Sequence, residues 1–210
     1  GLTVGANLIR SGAHKKVLVV GADTMSRIID YTDRSTCVLF GDGAGAFLLE
    51  PCEPGSGFIG FHNEVDGSGG DFLKMPAGGS RQPASVETVE GRLHYVKQAG
   101  QQVFRYATRK LADVCEELLT RYGYTGKDVK LLIPHQANLR IINAAAERLG
   151  LAPEQVVINI EKYGNTTAAT IPLATRDAPQ SGRLKKGDLV LFAGVGAGFT
   201  VGANLWRWEY

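Results

Sequence analysis

The sequence predicts an α/β fold built from two related halves, and three observations carry that expectation. Short β-branched runs alternate with longer stretches of helical periodicity. SGAHKKVLVVGAD, from Ser11 to Asp23, resembles SGRLKKGDLVLFAGVG, from Ser181 to Gly196, with Ser-Gly and Lys-Lys pairs at the same offset. In both copies a helix-like segment precedes the pair, a glycine-bounded strand follows, and a second strand comes after a Gly/Ala-rich bend. Glycine, at 27 of 210 residues, is the informative excess in the composition.

Taken in order, KKVLVVGAD (Lys15 to Asp23) is a β-branched run left through glycine and reads as a buried strand. TCVLFGDGAGAFLLE (Thr36 to Glu50) reads as a further strand or a hairpin pair with a glycine bend. From Pro51 to about Gly100 the periodicity is poor and GSGGD and PAGGSRQP signal loops. A boundary near Pro54 divides the chain into 1–53, the remainder of an N-terminal half, and 54–210, a C-terminal half. Between Gln101 and Gly123 the spacing of Val103, Phe104, Ala107, Leu111, Val114, Leu118 and Leu119 predicts an amphipathic helix. KLLIP then reads as a strand, NLRIINAAAERLG as a helix with a glycine stop, and QVVINI as a strand. TTAATIPLAT starts a helix that Pro179 is expected to end early, and DLVLFAGVG and FTVGANLWRW are two closing strands. Asn165 lies just before the TTAATIPLAT helix, and its counterpart in the first copy falls a few residues ahead of Gly1. The first half is therefore expected to be truncated at its N-terminus.

With 44% apolar and 21% charged residues, the chain can bury a sizeable core. No apolar run has the length of a membrane span, and Gly1 to Arg10 lacks the order of a signal peptide. A net charge of +2 gives no reason to expect nucleic acid. Cys37, Cys52 and Cys115 are widely spaced, without a CxxC pair, so they suggest neither a disulfide framework nor a metal site, and a cytoplasmic location fits best. Cys37 is expected in a strand, without the helix start that would activate a thiol. His14, His62 and His94 are expected to face solvent. GVGAGF (Gly194 to Phe199) superficially matches a dinucleotide fingerprint, but the alternation of Phe199, Val201, Ala203 and Leu205 calls for a strand after the glycines rather than a helix.

Four segments carry a resemblance. PHQANLRI (Pro134 to Ile141), YGNTTAATIP (Tyr163 to Pro172), LFGDGAGA (Leu39 to Ala46) and GAGFTVGANL (Gly196 to Leu205) resemble motifs of β-ketoacyl-[acyl carrier protein] synthase III, in that family's order. The resemblance runs from Gly1 to Trp208 and implies a thiolase-like fold, a five-layered αβαβα sandwich of two related halves. It implies an acyltransferase that initiates fatty acid synthesis by decarboxylative Claisen condensation of an acyl-CoA, acetyl-CoA first, with malonyl-[acyl carrier protein]. Acyl-CoA and phosphopantetheine would be substrate and carrier, so no cofactor is implied. The working form would be a homodimer.

The family's cysteine nucleophile lies in a CAGF-like motif, which belongs at the position ahead of Gly1, and a chain without it is expected to be inactive alone. Decarboxylation leaves negative charge on a thioester oxygen, and hydrogen-bond donors already aimed at that oxygen stabilise it. A neutral imidazole and a carboxamide suit this role, and the resemblance assigns it to His135 and Asn165. It further implies that the Ala197 N–H contributes to an oxyanion hole, where the family usually has glycine. Gly100 and Asn138 match pantetheine-contacting positions, and Arg105, Arg140 and Arg148 match basic positions near the carrier protein or the CoA phosphates. The alternatives are another CoA-dependent thiolase-fold condensing enzyme, or a noncatalytic fragment or acyl-binding partner.

Overall fold

In the computed structural model, which describes residues 1–210, the apolar runs form two main sheets with helices between and outside them. The first part of the chain forms α1 (Leu2–Arg10), β1 (Val17–Asp23), β2 (Gly43–Leu49), β3 (Gly57–Val65), β4 (Leu73–Lys74), α2 (Val86–Glu90), β5 (Lys97–Gln98) and α3 (Gly100–Arg121). The rest forms β6 (Leu131–Pro134), α4 (Leu139–Arg148), α5 (Ile160–Tyr163), α6 (Thr170–Gln180), β7 (Leu189–Gly196) and β8 (Thr200–Arg207). The larger sheet has the order β3-β8-β7-β6, with β6 and β7 parallel and the other neighbours antiparallel. β1 and β2 pair antiparallel in a separate sheet. No helix is long and apolar enough to cross a membrane.

The strand period of two divides the core. Leu189, Leu191, Ala193, Val201, Ala203 and Leu205 face α3 and α4, whose Leu111, Val114, Leu118 and Ile142 complete one cluster. Leu131, Ile133, Val190 and Phe192 face the opposite way, onto Ala174 and Ala178 of α6. Leu2 of α1 and Phe47 of β2 pack against that second cluster. The layers therefore run α3/α4, large sheet, α1/α6, small sheet: four layers of the expected thiolase-like sandwich. The face of the small sheet turned away from α1 and α6 exposes Leu18, Val20 and Leu48.

The repeat is present in three dimensions. α1 ends at Ser11 with Gly12 at φ +74°, and α6 ends at Ser181 with Gly182 at φ +72°. Left-handed glycine turns each chain back into an antiparallel strand pair, β1–β2 or β7–β8. Pro179 does not end α6 early, because the helix continues to Gln180 and closes at the position equivalent to the end of α1. A proline that late in the helix removes only one of its last hydrogen bonds.

Three segments depart from expectation. Residues 36–39 form turns rather than a strand, and Phe40 alone makes a bridge. Asp30 and Asp33 accept hydrogen bonds from the backbone N–H groups of Thr32 and Ser35, which folds this stretch into successive local turns. Cys37 is thus in a turn. Residues 155–160 form a single bridge, Leu132 to Val156, followed by α5. The buried Gln136 side chain takes the place of further strand pairing there, donating to the Val157 carbonyl and accepting from the Asn159 N–H. Finally, residues 51–100 hold β3, α2 and the β4–β5 pair. The boundary expected near residue 54 falls in the turn that joins β2 to β3.

His14 is exposed as expected, but two other histidines do not face solvent. His94 is half-buried, 2.9 Å from the Thr88 hydroxyl. His62, on β3, meets Glu64 at 3.2 Å and Glu117 of α3 at 3.3 Å. Those three side chains bring ligand-type atoms within 4.8 Å of one another. However, Lys110 pairs with Glu64, while Arg121 pairs with Glu117 and also donates to His62 Nδ1. The cluster is a charge network that ties β3 to α3.

Candidate active site

His135 is the first residue after β6. Its N–H donates to the Ala193 carbonyl at 2.7 Å, so the parallel ladder with β7 extends one residue to hold the histidine backbone. Gln136 immediately behind it is buried and bonded, and Asn138 caps α4 by accepting from the Arg140 N–H. The imidazole Nδ1 lies 2.6 Å from the Thr170 hydroxyl, at the start of α6. Burial pushes the imidazole pKa down to about 4, because a charge there would lose its hydration. At neutral pH the ring is uncharged. In a pH titration followed by NMR, the His135 ring resonances should stay constant from pH 8 to pH 5 and move only as pH 4 is approached. A midpoint near the ordinary histidine value of about 6.5 would contradict this.

Asn165 is held from the other half of the molecule. Its N–H donates to the Leu39 carbonyl at 3.1 Å, and its carbonyl accepts from the Gly41 N–H at 2.9 Å, the bridge through Phe40. Gly164, at φ +66°, turns the chain into this position. The side-chain Oδ1 accepts from the Thr167 N–H at 2.9 Å, so the carboxamide is oriented with its N–H groups left as donors. Thr167, unusually for a β-branched residue, sits at φ +49°. Asp23, at the end of β1, accepts from both the Thr167 hydroxyl and the Ala168 N–H and pins that turn.

The glycines of LFGDGAGA explain how the halves meet. A Cβ on Gly41 would lie 2.6 Å from the Tyr163 carbonyl oxygen, on Gly43 2.9 Å from Thr166, and on Gly45 2.8 Å from Pro172. Gly21 on β1 is tighter still, 2.2 Å from the Ala168 carbonyl oxygen. These positions form a smooth face on which the chain around Asn165 lies directly.

Ala197 occupies the turn between β7 and β8. Its neighbour Phe199 is buried, stacked on Tyr106 of α3 with centroids 4.0 Å apart, and the Phe199 carbonyl accepts from the Asp66 N–H. His135, Asn165, Ala197, Gly100 and Asn138 all line one cavity of about 940 Å³, which Gly1 also reaches. One end of it is apolar, with Met25, Phe40, Leu73 and Val96. Sequence reasoning missed these four and also Thr170, although Phe40 and Thr170 lie inside the quoted motifs.

The arginines are outside the cavity. Arg105 and Arg140 are exposed on α3 and α4. Arg148 is engaged, with Asp113 at 2.6 Å and Glu116 at 2.5 Å, and so joins α4 to α3. Cys115 is buried in the core, and burial pushes its thiol up to about 12, far from a reactive thiolate.

Residues 1–67 match the family described as 3-oxoacyl-[acyl-carrier-protein (ACP)] synthase III, and residues 119–208 match its C-terminal counterpart. The chain is 68% identical to the β-ketoacyl-[acyl-carrier-protein] synthase III of Solibacter usitatus and 57% identical to that of Koribacter versatilis. It is covered completely in both alignments but spans 64% and 63% of those curated relatives' length. Among solved structures it is similar to the synthase III of Thermus thermophilus, with TM-score 0.89 and 40% identity, and to that of Aquifex aeolicus, with TM-score 0.86 and 40% identity. Each superposition covers 99% of this chain and 64% of the other.

Proposed function

This chain belongs to the 3-oxoacyl-[acyl-carrier-protein] synthase III family, and on that premise we propose that the whole protein is an acyltransferase. It joins an acyl-CoA, acetyl-CoA in the first instance, to malonyl-[acyl carrier protein]. The observation that carries this reading is the convergence of a neutral imidazole, an oriented carboxamide and the β7–β8 turn on one cavity with an apolar end.

The chemistry has two stages. A cysteine thiolate attacks the acyl-CoA thioester, the C–S bond to CoA breaks and the CoA thiolate leaves, giving an acyl-enzyme. The malonyl thioester then loses CO₂, and the electron pair of the broken C–C bond passes into an enolate whose oxygen is stabilised by donors from His135 and Asn165. The enolate carbon attacks the acyl thioester, the cysteine sulfur departs, and a 3-oxoacyl-[acyl carrier protein] results. We place the cysteine ahead of α1, because the N-terminal end of that helix reaches the same cavity at Gly1 and a helix N-terminus favours a thiolate. Ala197 is proposed to supply the backbone donor for the acyl thioester oxygen. Gly100 and Asn138 are proposed to border the pantetheine arm, with Arg105 and Arg140 as free basic groups for the carrier protein or the CoA phosphates. Arg148 is proposed to support that face through its ion pairs. A two-fold homodimer in the cytoplasm is proposed as the working form.

The test is to incubate the full-length protein with acetyl-CoA and malonyl-[acyl carrier protein] and to follow the carrier protein by intact mass. Appearance of 3-oxobutyryl-[acyl carrier protein] with one CO₂ released per turnover is expected. Condensation only between CoA esters would instead support another CoA-dependent condensing enzyme, and acyl binding without CO₂ release would support a noncatalytic role.

A further inference from the structure

We propose that Thr170 is a positioning residue which fixes the His135 tautomer, so that the ring presents Nε2–H as a donor. The inference deepens the functional reading above and rests on it only for its kinetic consequence. Thr170 is the first residue of α6, buried at 2% exposure. Its hydroxyl has one proton and two acceptors within reach: His135 Nδ1 at 2.6 Å and the Thr167 carbonyl oxygen at 3.0 Å.

Two arguments send the proton to the imidazole. The Thr167 carbonyl already accepts the backbone N–H of Thr170, so it is satisfied without the hydroxyl. Hydroxyl-to-oxygen hydrogen bonds run from about 2.5 to 3.0 Å, so the 3.0 Å contact to Thr167 lies at the long end of that range, while His135 Nδ1 is closer, at 2.6 Å.

A neutral imidazole has one nitrogen that donates and one that accepts. With Nδ1 accepting from Thr170, the ring proton resides on Nε2, at the opposite edge of the ring. The reverse arrangement would send Nδ1–H to the Thr170 oxygen and its hydroxyl proton to Thr167. Nε2 would then be a bare lone pair, which repels a developing oxyanion instead of stabilising it. The difference between a donor and a non-donor at this edge is thus decided by one hydroxyl proton at the start of α6.

The experiment is ¹⁵N NMR of the full-length protein labelled at histidine, with His135 assigned by the signal lost in His135→Gln. At pH 7 the expected pattern is a protonated, pyrrole-type Nε2 and an unprotonated, pyridine-type Nδ1. Thr170→Val, which keeps the shape and removes the hydroxyl, should give a mixed or reversed tautomer. It should also slow malonyl decarboxylation by about tenfold, the order of one lost hydrogen bond, with little change in KM. Thr170→Ser should restore both. A wild-type ring with its proton on Nδ1 would overturn the proposal, and so would an unchanged tautomer in Thr170→Val. Because the wild-type spectrum is read first, poor folding of a variant does not shield the idea. An Nε2–H ring in a protein that fails to condense would sink the functional reading and leave the tautomer assignment standing.

Discussion

His135→Ala and Asn165→Ala, each made in the full-length protein, are expected to slow malonyl decarboxylation by on the order of 10²-fold or more, the usual cost of removing one oxyanion-hole donor. The two half-reactions should respond differently. Acyl transfer from CoA needs a thiolate and a backbone oxyanion hole, and neither side chain is required for those. Transfer of a labelled acetyl group to the protein should therefore fall far less than CO₂ release from malonyl-[acyl carrier protein]. The double variant should fall by less than the product of the single effects, since both donors serve one developing charge. Loss of acyl transfer with normal decarboxylation would mean that the roles are wrong, and His135 would then have to act as a base toward the nucleophile.

Gly21→Ala should damage both stability and activity. The added methyl would sit 2.2 Å from the Ala168 carbonyl oxygen, well inside the 3.0 Å below which such contacts are essentially never found, so one partner must move. Both partners are backbone, and no rotamer change relieves the overlap. The segment that must yield carries the Thr167 N–H that orients Asn165, and it leads directly into Thr170. Overpacking of this kind costs about 1–3 kcal/mol, and a donor displaced by about 1 Å can lower turnover by about 10²-fold. Thermal unfolding and decarboxylation measured on the same preparation would check it. Gly67→Ala is the control, since a Cβ there meets nothing within 4 Å. If Gly21→Ala melts and turns over like the parent, the close packing of the halves is not what the contact implies.

Legibility in the sequence followed periodicity. α3 was readable because its apolar residues repeat at helical spacing, with Leu111, Val114, Leu118 and Leu119 buried as expected. β7 was readable because it is covered on both faces and so runs apolar from Leu189 to Ala193. β3 was hidden by its glycines and by a bulge between Phe58 and Gly60, where Tyr122 fills the space a side chain would take. Residues 155–160 look like a strand because Val156, Val157 and Ile158 are β-branched, but the Gln136 side chain claims the backbone groups a ladder would use. The site was legible only through motifs. Nothing in the spacing of His135 and Asn165 says that they line one cavity, and Thr170 reads as one more threonine until the fold sets it beside Nδ1.

The two proposed donors are referenced to different frames. His135 takes its place from the ladder between β6 and β7, whereas Asn165 is paired through Phe40 to the segment leading into β2. The spacing between imidazole and carboxamide therefore depends on how the small sheet is seated against the large one, as well as on the Thr167–Thr170 turn that touches both. Any slip at that seam changes the spacing between the two proposed donors, even where every side chain in the cavity is unchanged. The glycine face on β1 and β2 acts as the datum surface for that seating. The connections at residues 12–16 and 50–56 lie outside that surface.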